Sequence, residues 1–253
     1  MTARFKPIRL VLAAALALIP LPGGLGAGTA AAPSNPPLGL MGTIPIYWGE
    51  ARQLDDLIGG AAIRHWARAE LERGYQLRPV DYLDATALDQ LEFLLLAQPR
   101  ALSGEENVAL DAWVRAGGHL LLFADPMMTG HSDFSIGDRR RPQDVALLSP
   151  ILEHWGLDLE FVEDQPAGPQ VARDGDLSLP VNLPGRFVVR SGEAQCLLSA
   201  GGVLARCAIG QGWATIVADA AVLDLHQPDS QARPALDRLA EIAFGASGEI
   251  AGR

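Results

Sequence analysis

Between Glu92 and Pro126 the sequence reads EFLLLAQPRALSGEENVALDAWVRAGGHLLLFADP, and this stretch restricts the possible folds more than any other. Residues 93–96 form an apolar run closed by Gln98-Pro99, where proline removes a ladder donor and ends a strand. Ser103 stands three residues before Glu106, the spacing at which an N-cap hydroxyl and an N3 carboxylate satisfy each other's backbone donors, so a helix begins there. Ala109, Leu110, Trp113 and Val114 then share one face, while Glu105, Glu106, Asp111 and Arg115 fall mostly elsewhere. Gly117-Gly118 stops the helix. Residues 119–124 are nearly continuous Leu and Phe, the pattern of a strand covered on both faces. A strand-helix-strand unit of this length implies a right-handed parallel crossover. The expected class is α/β: an open, mainly parallel sheet with helices on both faces.

The same residues carry a family resemblance. A strand ending in Gln98-Pro99, a loop reading L-S-x-E-E from Leu102 to Glu106, a helix ending in Gly117-Gly118 and a strand ending in Asp125-Pro126 are similar to the extracytoplasmic domain of GldG-like auxiliary components of ABC-2 transport systems. The match is close over this stretch and looser over residues 44–219. The resemblance implies a class I glutamine amidotransferase-like, or flavodoxin-like, fold whose catalytic residues are absent. It implies an exported binding or scaffolding domain that meets a transporter permease or another periplasmic protein, with a glycan or peptide as ligand. The family's membrane anchor after the domain has no counterpart in the terminal GASGEIAGR.

Export is also written at the start of the chain. Arg4, Lys6 and Arg9 make a positive n-region, residues 10–21 an apolar core, and the small residues 26–32 a cleavage zone. The apolar core is too short to span a bilayer, which needs roughly 20 residues. Residues 1–32 are therefore expected to be a signal peptide, with a retained anchor as the alternative. Residues 33–42, containing PSNPP, follow as a linker, residues 43–246 as a single α/β domain and residues 247–253 as a flexible tail.

Loss of the signal removes three cations and no acids, so the formal charge of −10 becomes −13, a balance that excludes nucleic acid as a partner. No transmembrane segment is expected in the mature chain. Lys6 is the only lysine, which excludes a Schiff base, a Walker A site and a pyridoxal anchor from the mature protein. Cys196 and Cys207 flank Gly201-Gly202, a dipeptide suited to a two-residue hairpin turn that sets the cysteines opposite each other. They are counted at a hydrogen-bonded pair, with Cα atoms about 5.5 Å apart. A disulfide is one outcome and two buried thiols the other.

The remaining elements follow in order. Residues 43–48 read as the first strand, 61–73 as a helix with His65 on its solvated side, 76–80 as a second strand and 84–90 as a brief helix or turn. Residues 127–144 have no period and read as a long loop, 145–156 as a helix broken or begun by Pro150, and 157–162 as a strand. Residues 164–176 read as an irregular excursion. Strands are expected around 177–181, 185–190, 194–199, 203–208 and 213–218, adding antiparallel hairpins to the parallel core in the C-terminal third, with a closing helix at 234–244.

Ligands of open α/β sheets collect beyond the carboxyl ends of strands, which brings forward Glu50, Gln98, Asp125 and Asp219. An aspartate after a strand also caps the following turn, and that reading of Asp125 and Asp219 stands beside the first. Trp48 offers an apolar surface at the same rim, and Arg139 and Arg140, with Arg141, a fork for a carboxylate or phosphate. His131 and Asp133 join the binding candidates. With Asp138 they form the one N/O group with metal-ligand chemistry in a single loop, although no motif with metal spacing appears and neither metal nor cofactor is expected. Neither Gln98-Pro99 nor Asp125-Pro126 supplies the thiol or hydroxyl of a nucleophile elbow, so no catalytic residue is assigned. The alternative to a binding domain is a periplasmic hydrolase using carboxylates or a loop-bound metal. Mass spectrometry of the exported protein should find a mature start between Ala30 and Pro33; intact Met1 in the membrane fraction would overturn the signal-peptide assignment.

Overall fold

The computed structural model describes residues 35–50, 63–192, 194–226 and 228–245; the expected signal peptide and tail lie outside them. In chain order the elements are β1 (Pro37–Gly42), α1 (Trp66–Leu71), β2 (Gln76–Pro79), α2 (Ala85–Leu88), β3 (Phe93–Ala97), α3 (Gly104–Arg115), β4 (His119–Phe123), α4 (Ser149–His154), β5 (Leu157–Phe161), β6 (Pro169–Asp174), β7 (Leu177–Asn182), β8 (Gly185–Val189), β9 (Gln195–Ser199), β10 (Leu204–Ile209), β11 (Gly212–Val217) and α5 (Ala232–Phe244). Among the described residues no helix is long and apolar enough to cross a membrane.

Seven strands form one sheet in the order β2-β1-β3-β4-β11-β10-β9. The first five are parallel, and β10 and β9 close the far edge antiparallel. The parallel strands run in a doubly wound order whose direction of winding reverses between β1 and β3. Two separate antiparallel pairs, β5 with β8 and β6 with β7, complete the C-terminal third.

Burial on both faces explains the unbroken apolar runs of the centre. Leu94, Leu96, Leu120 and Leu122 point to one side, against Leu110 and Val114 of α3 and Ile151 and Leu152 of α4. Phe93, Leu95, Leu121 and Phe123 point to the other, against Ala67 and Leu71 of α1, Leu236 and Leu239 of α5, and Leu177 and Leu179 of β7.

The start of α3 shows how the local signal was converted into structure. Ser103 Oγ accepts from Glu106 N at 3.2 Å, and Glu106 Oε2 accepts from Ser103 N at 2.9 Å. Glu106 is fully buried, and Arg100 forks onto both of its oxygens at 2.8 Å. Burial raises this carboxyl's pKa, but the guanidinium and the Ser103 and Leu83 N–H groups outweigh it and hold it at about 2. At the other end, the half-buried Trp113 lies over Gly118, where a Cβ would come within 2.4 Å of the indole.

Four expectations are corrected. The first strand lies at Pro37–Gly42, inside the expected linker, and residues 43–48 form a turn whose Ile44 and Ile46 are buried. Gly39 and Gly42 disguised this strand: a Cβ at Gly42 would stand 2.1 Å from the Ala97 carbonyl, and one at Gly39 would meet Leu91 at 2.5 Å. His65 is buried rather than solvated. Its Nδ1 accepts from Ala67 N at the start of α1, so its Nε2 carries the proton and donates to Leu223 O at 2.9 Å. Burial pushes its pKa down to about 4. The excursion at 164–176 contains β6, paired along its length with β7. Finally, only 149–154 of the helix expected at 145–156 forms, with Pro150 in its first turn, where a missing N–H costs nothing.

Cys196 and Cys207 are joined by a disulfide and are register partners between β9 and β10. The expected register is correct, but the turn is longer: Ser199 pairs with Leu204, and residues 200–203 make a 3-10 turn with positive φ at Ala200, Gly201 and Gly202. The Cα separation of 4.0 Å is that of a non-hydrogen-bonded pair rather than the wider one expected. The bond ties the edge strand to its neighbour. Replacing both cysteines by alanine should lower stability by about 2–3 kcal/mol through the freed unfolded chain. Equilibrium urea unfolding with and without reductant checks this.

Candidate functional site

Gln98, Asp125 and Asp219 stand one or two residues past the ends of the adjacent strands β3, β4 and β11, and all three are buried. Gln98 has a φ of 48°, which turns the chain sharply out of β3. Its side chain bridges to the next strand: Oε1 accepts from Asp125 N at 2.8 Å, and Nε2 donates to Asp125 O at 2.9 Å and Gln143 O at 3.0 Å. Asp125 accepts from Met127 N at 2.8 Å and Ala220 N at 3.0 Å. Asp219 accepts from Ala221 N at 2.6 Å and Asn182 N at 2.9 Å. Thr43 extends the network, its Oγ1 accepting from Gln143 N at 2.8 Å and donating to Gln98 O. These three sequence candidates therefore come together as expected, but as caps of the loops.

Burial pushes the Asp125 carboxyl up to about 6. Burial, with the charge of Asp125 beside it, pushes Asp219 well above the usual carboxylate range. Raised pKa values mean that the protonated forms favour the fold. Their contribution is complete below the ordinary carboxylate range and is lost as pH rises, for Asp125 through about 6.

A second group assembles from three distant segments. Glu50, 4% exposed at its side chain, meets His226 Nε2 at 3.1 Å through Oε2; the His226 side chain is 19% exposed. His131 Nε2 lies 3.6 Å from Asp133 Oδ1, and the His131 and His226 rings stand edge to face at 5.4 Å. One ligand atom each of Glu50, Asp133 and His226 falls within 4.8 Å of the others. Asp138 is not part of this group; it pairs with Arg140 at 2.7 Å. His226 was missed by sequence reasoning, since it stands in the aperiodic stretch after β11 and meets a partner 176 residues away. The only local signal was a histidine shortly beyond a strand end.

The backbone holds this group in place. Glu50 and Ile63 form a bridge, with N···O distances of 3.0 and 2.8 Å, and Gly49 at φ 73° allows it because a Cβ there would stand 2.3 Å from Ile63 O. On the opposite side, His65 and Trp66 donate ring N–H groups to Leu223 O and Asp224 O at 2.9 and 2.8 Å, and Asp224 Oδ1 accepts from His226 N at 2.8 Å.

A cleft of about 390 Å³ opens beside the switch point, lined by Gly42, Thr43, Asp81, Arg100, Arg139 and Arg141, among others. Arg140 faces elsewhere: it forks onto Asp138 and stacks over Phe134, its guanidinium 4.3 Å from the ring centroid. Arg141 is held by Asp144 and by Phe134 O. Trp48 is 66% exposed, touching Tyr47 edge to face.

Residues 65–178 match the model of a family described as an ABC-type uncharacterized transport system. The match spans α1 to β7, a little under half of the 253-residue chain, and points to an auxiliary protein of ABC transport. No curated protein matches the chain. Among solved structures, the mmIFT52 N-terminal domain aligns with a TM-score of 0.52 at 12% identity, covering 82% of this chain and 96% of that one. The exo-β-1,4-mannosidase Op5Man5 from Opitutaceae bacterium strain TAV5 aligns at 0.48 and 16% identity over 82% of this chain, which spans 36% of the enzyme. A ThuA-like protein from Bacteroides uniformis aligns at 0.45 and 11% identity, covering 86% of this chain and 94% of that one. At 12% identity the likeness to the mmIFT52 domain concerns the fold alone.

Asp125→Asn and Asp219→Asn should each cost about 1–3 kcal/mol, because an amide NH2 then faces a backbone N–H that the carboxylate had satisfied. Each variant should also lose less stability than the wild type between about pH 5 and 7.5, one raised carboxyl having been removed. Urea titrations at the two pH values measure both effects.

Proposed function

We propose that this chain is an exported, non-catalytic binding or scaffolding domain, a GldG-like auxiliary component working beside the membrane subunits of an ABC-2 transporter. The observation that carries this reading is the engagement of the strand-end groups. The carboxylates of Asp125 and Asp219 are bonded to four backbone N–H groups, and Gln98 to one N–H and two carbonyls, so the polar atoms at the head of the sheet serve the fold. The match of residues 65–178 to an ABC transport family supports the partner class. The Cys196–Cys207 disulfide supports export, since such bonds persist in oxidising compartments. What remains accessible is the cleft wall with Arg139 and the exposed Trp48, suited to a glycan, a peptide or a surface of the permease.

A periplasmic hydrolase is the second reading, favoured by the proximity of Glu50, Asp133 and His226. The two separate experimentally. Affinity purification of the tagged protein from its own host should recover an ABC permease or ATPase, and Arg139→Ala with Trp48→Ala should reduce that recovery while leaving the fold intact. Reproducible turnover of peptide, ester, amide, phosphate or glycan substrates that disappears in His226→Ala would instead establish the hydrolase.

A further inference from the structure

We propose that Glu50, Asp133 and His226, with His131 as the fourth ligand, bind one Zn²⁺ ion, and that this ion clasps the 127–148 loop to the head of the sheet. The donor set is two imidazoles and two carboxylates, a combination that suits zinc among the divalent metals. Around a tetrahedral zinc with bonds of about 2.0–2.2 Å, neighbouring ligand atoms stand about 3.3 Å apart. Glu50 Oε2 and His226 Nε2 are separated by 3.1 Å, and His131 Nε2 and Asp133 Oδ1 by 3.6 Å. The Glu50–His226 edge of the coordination polyhedron therefore exists before any ion arrives, with an Asp133 oxygen within 4.8 Å of both. The His131 ring, edge to face with that of His226 at 5.4 Å between centroids, stands beside these three and reaches the fourth position by turning inward.

Preorganisation separates this group from an ordinary surface cluster. The side chains of Glu50, Asp133 and His226 are 4%, 19% and 19% exposed, while that of His131, at 66%, is open enough to swing inward. Glu50 is fixed by its bridge to Ile63, and the segment leading to His226 by the ring donors of His65 and Trp66, so residues 63–66 place both ligands. The loop contributes the other pair. Its base is closed by Met128 N to Asp144 O at 3.0 Å and Ala146 N to Asp125 O at 2.8 Å, whereas His131 and Asp133 lie in its outer part. Arg139 is six residues beyond Asp133 in the same loop and lines the cleft, so a metal that fixes Asp133 also limits where that guanidinium can go.

The experiment uses the untagged mature chain, freed of metal by chelation and then dialysed against Zn²⁺. Elemental analysis should find one Zn²⁺ per chain, Zn²⁺ should raise the melting temperature, and hydrogen exchange in 127–148 should slow. Glu50→Gln, which keeps shape and removes charge, and His226→Ala should weaken binding by about 10-fold or more. Asp138→Ala, outside the group, should bind as the wild type does. Circular dichroism establishes that each variant is folded, and folded Glu50→Gln alone suffices for the comparison. A folded wild-type chain that takes up no Zn²⁺, or uptake unchanged in Glu50→Gln and His226→Ala, would overturn the assignment and leave Glu50 and His226 a hydrogen-bonded pair only.

Discussion

Beyond the ends of β3, β4 and β11 the backbone leaves the hydrogen-bonded ladder while still inside the protein, and its polar groups must find partners there. An unpaired buried N–H costs about as much as a lost hydrogen bond, and here several such groups meet in one layer. Gln98, Asp125 and Asp219 answer that demand by crossing from each strand end to the next loop. The same bonds fix the exit of the 127–148 loop, the start of the segment after β11 and, through Asn182, the end of β7. Placing carboxylates in such a layer is electrostatically unfavourable, which is why both carboxyls titrate above the usual range. The geometry of the whole upper surface is set by groups that solvent barely reaches.

This layer also accounts for what the sheet's head can present outward. Strand-end side chains turned inward leave the outward surface to residues further along the loops, such as Trp48, His131 and Arg139. Each lies several residues past a strand end. Every cation in the described ion pairs is arginine or histidine, as follows from Lys6, outside the described residues, being the sequence's single lysine. The forked Arg100–Glu106 and Arg140–Asp138 pairs use the planar geometry that an ammonium group lacks.

The sequence disclosed most where signals of different kinds agreed. Ser103 with Glu106, the apolar face of α3, Gly117-Gly118 and two Leu-rich runs all pointed to one crossover, and the structure contains it. The Cys196–Cys207 register was legible because a symmetric count about Gly201-Gly202 is insensitive to turn length. β1 was not legible, since its glycines satisfy tight packing against Ala97 and Leu91 instead of displaying β propensity. β6 was hidden by its exposed, polar alternation, and His65 by a burial that comes from Leu223, far away in the chain. Asp125 and Asp219 were identified as residues, but whether they cap or face the crevice depends on loop paths that spacing does not encode. The Glu50–His226 contact had no local signature at all.

Residues 63–66 hold both Glu50 and His226, through the Glu50–Ile63 bridge and the ring N–H bonds of His65 and Trp66 to the segment before His226. One four-residue stretch of backbone is thus the common reference for a carboxylate and an imidazole 176 residues apart, so a change that tilts the start of α1 carries both groups with it.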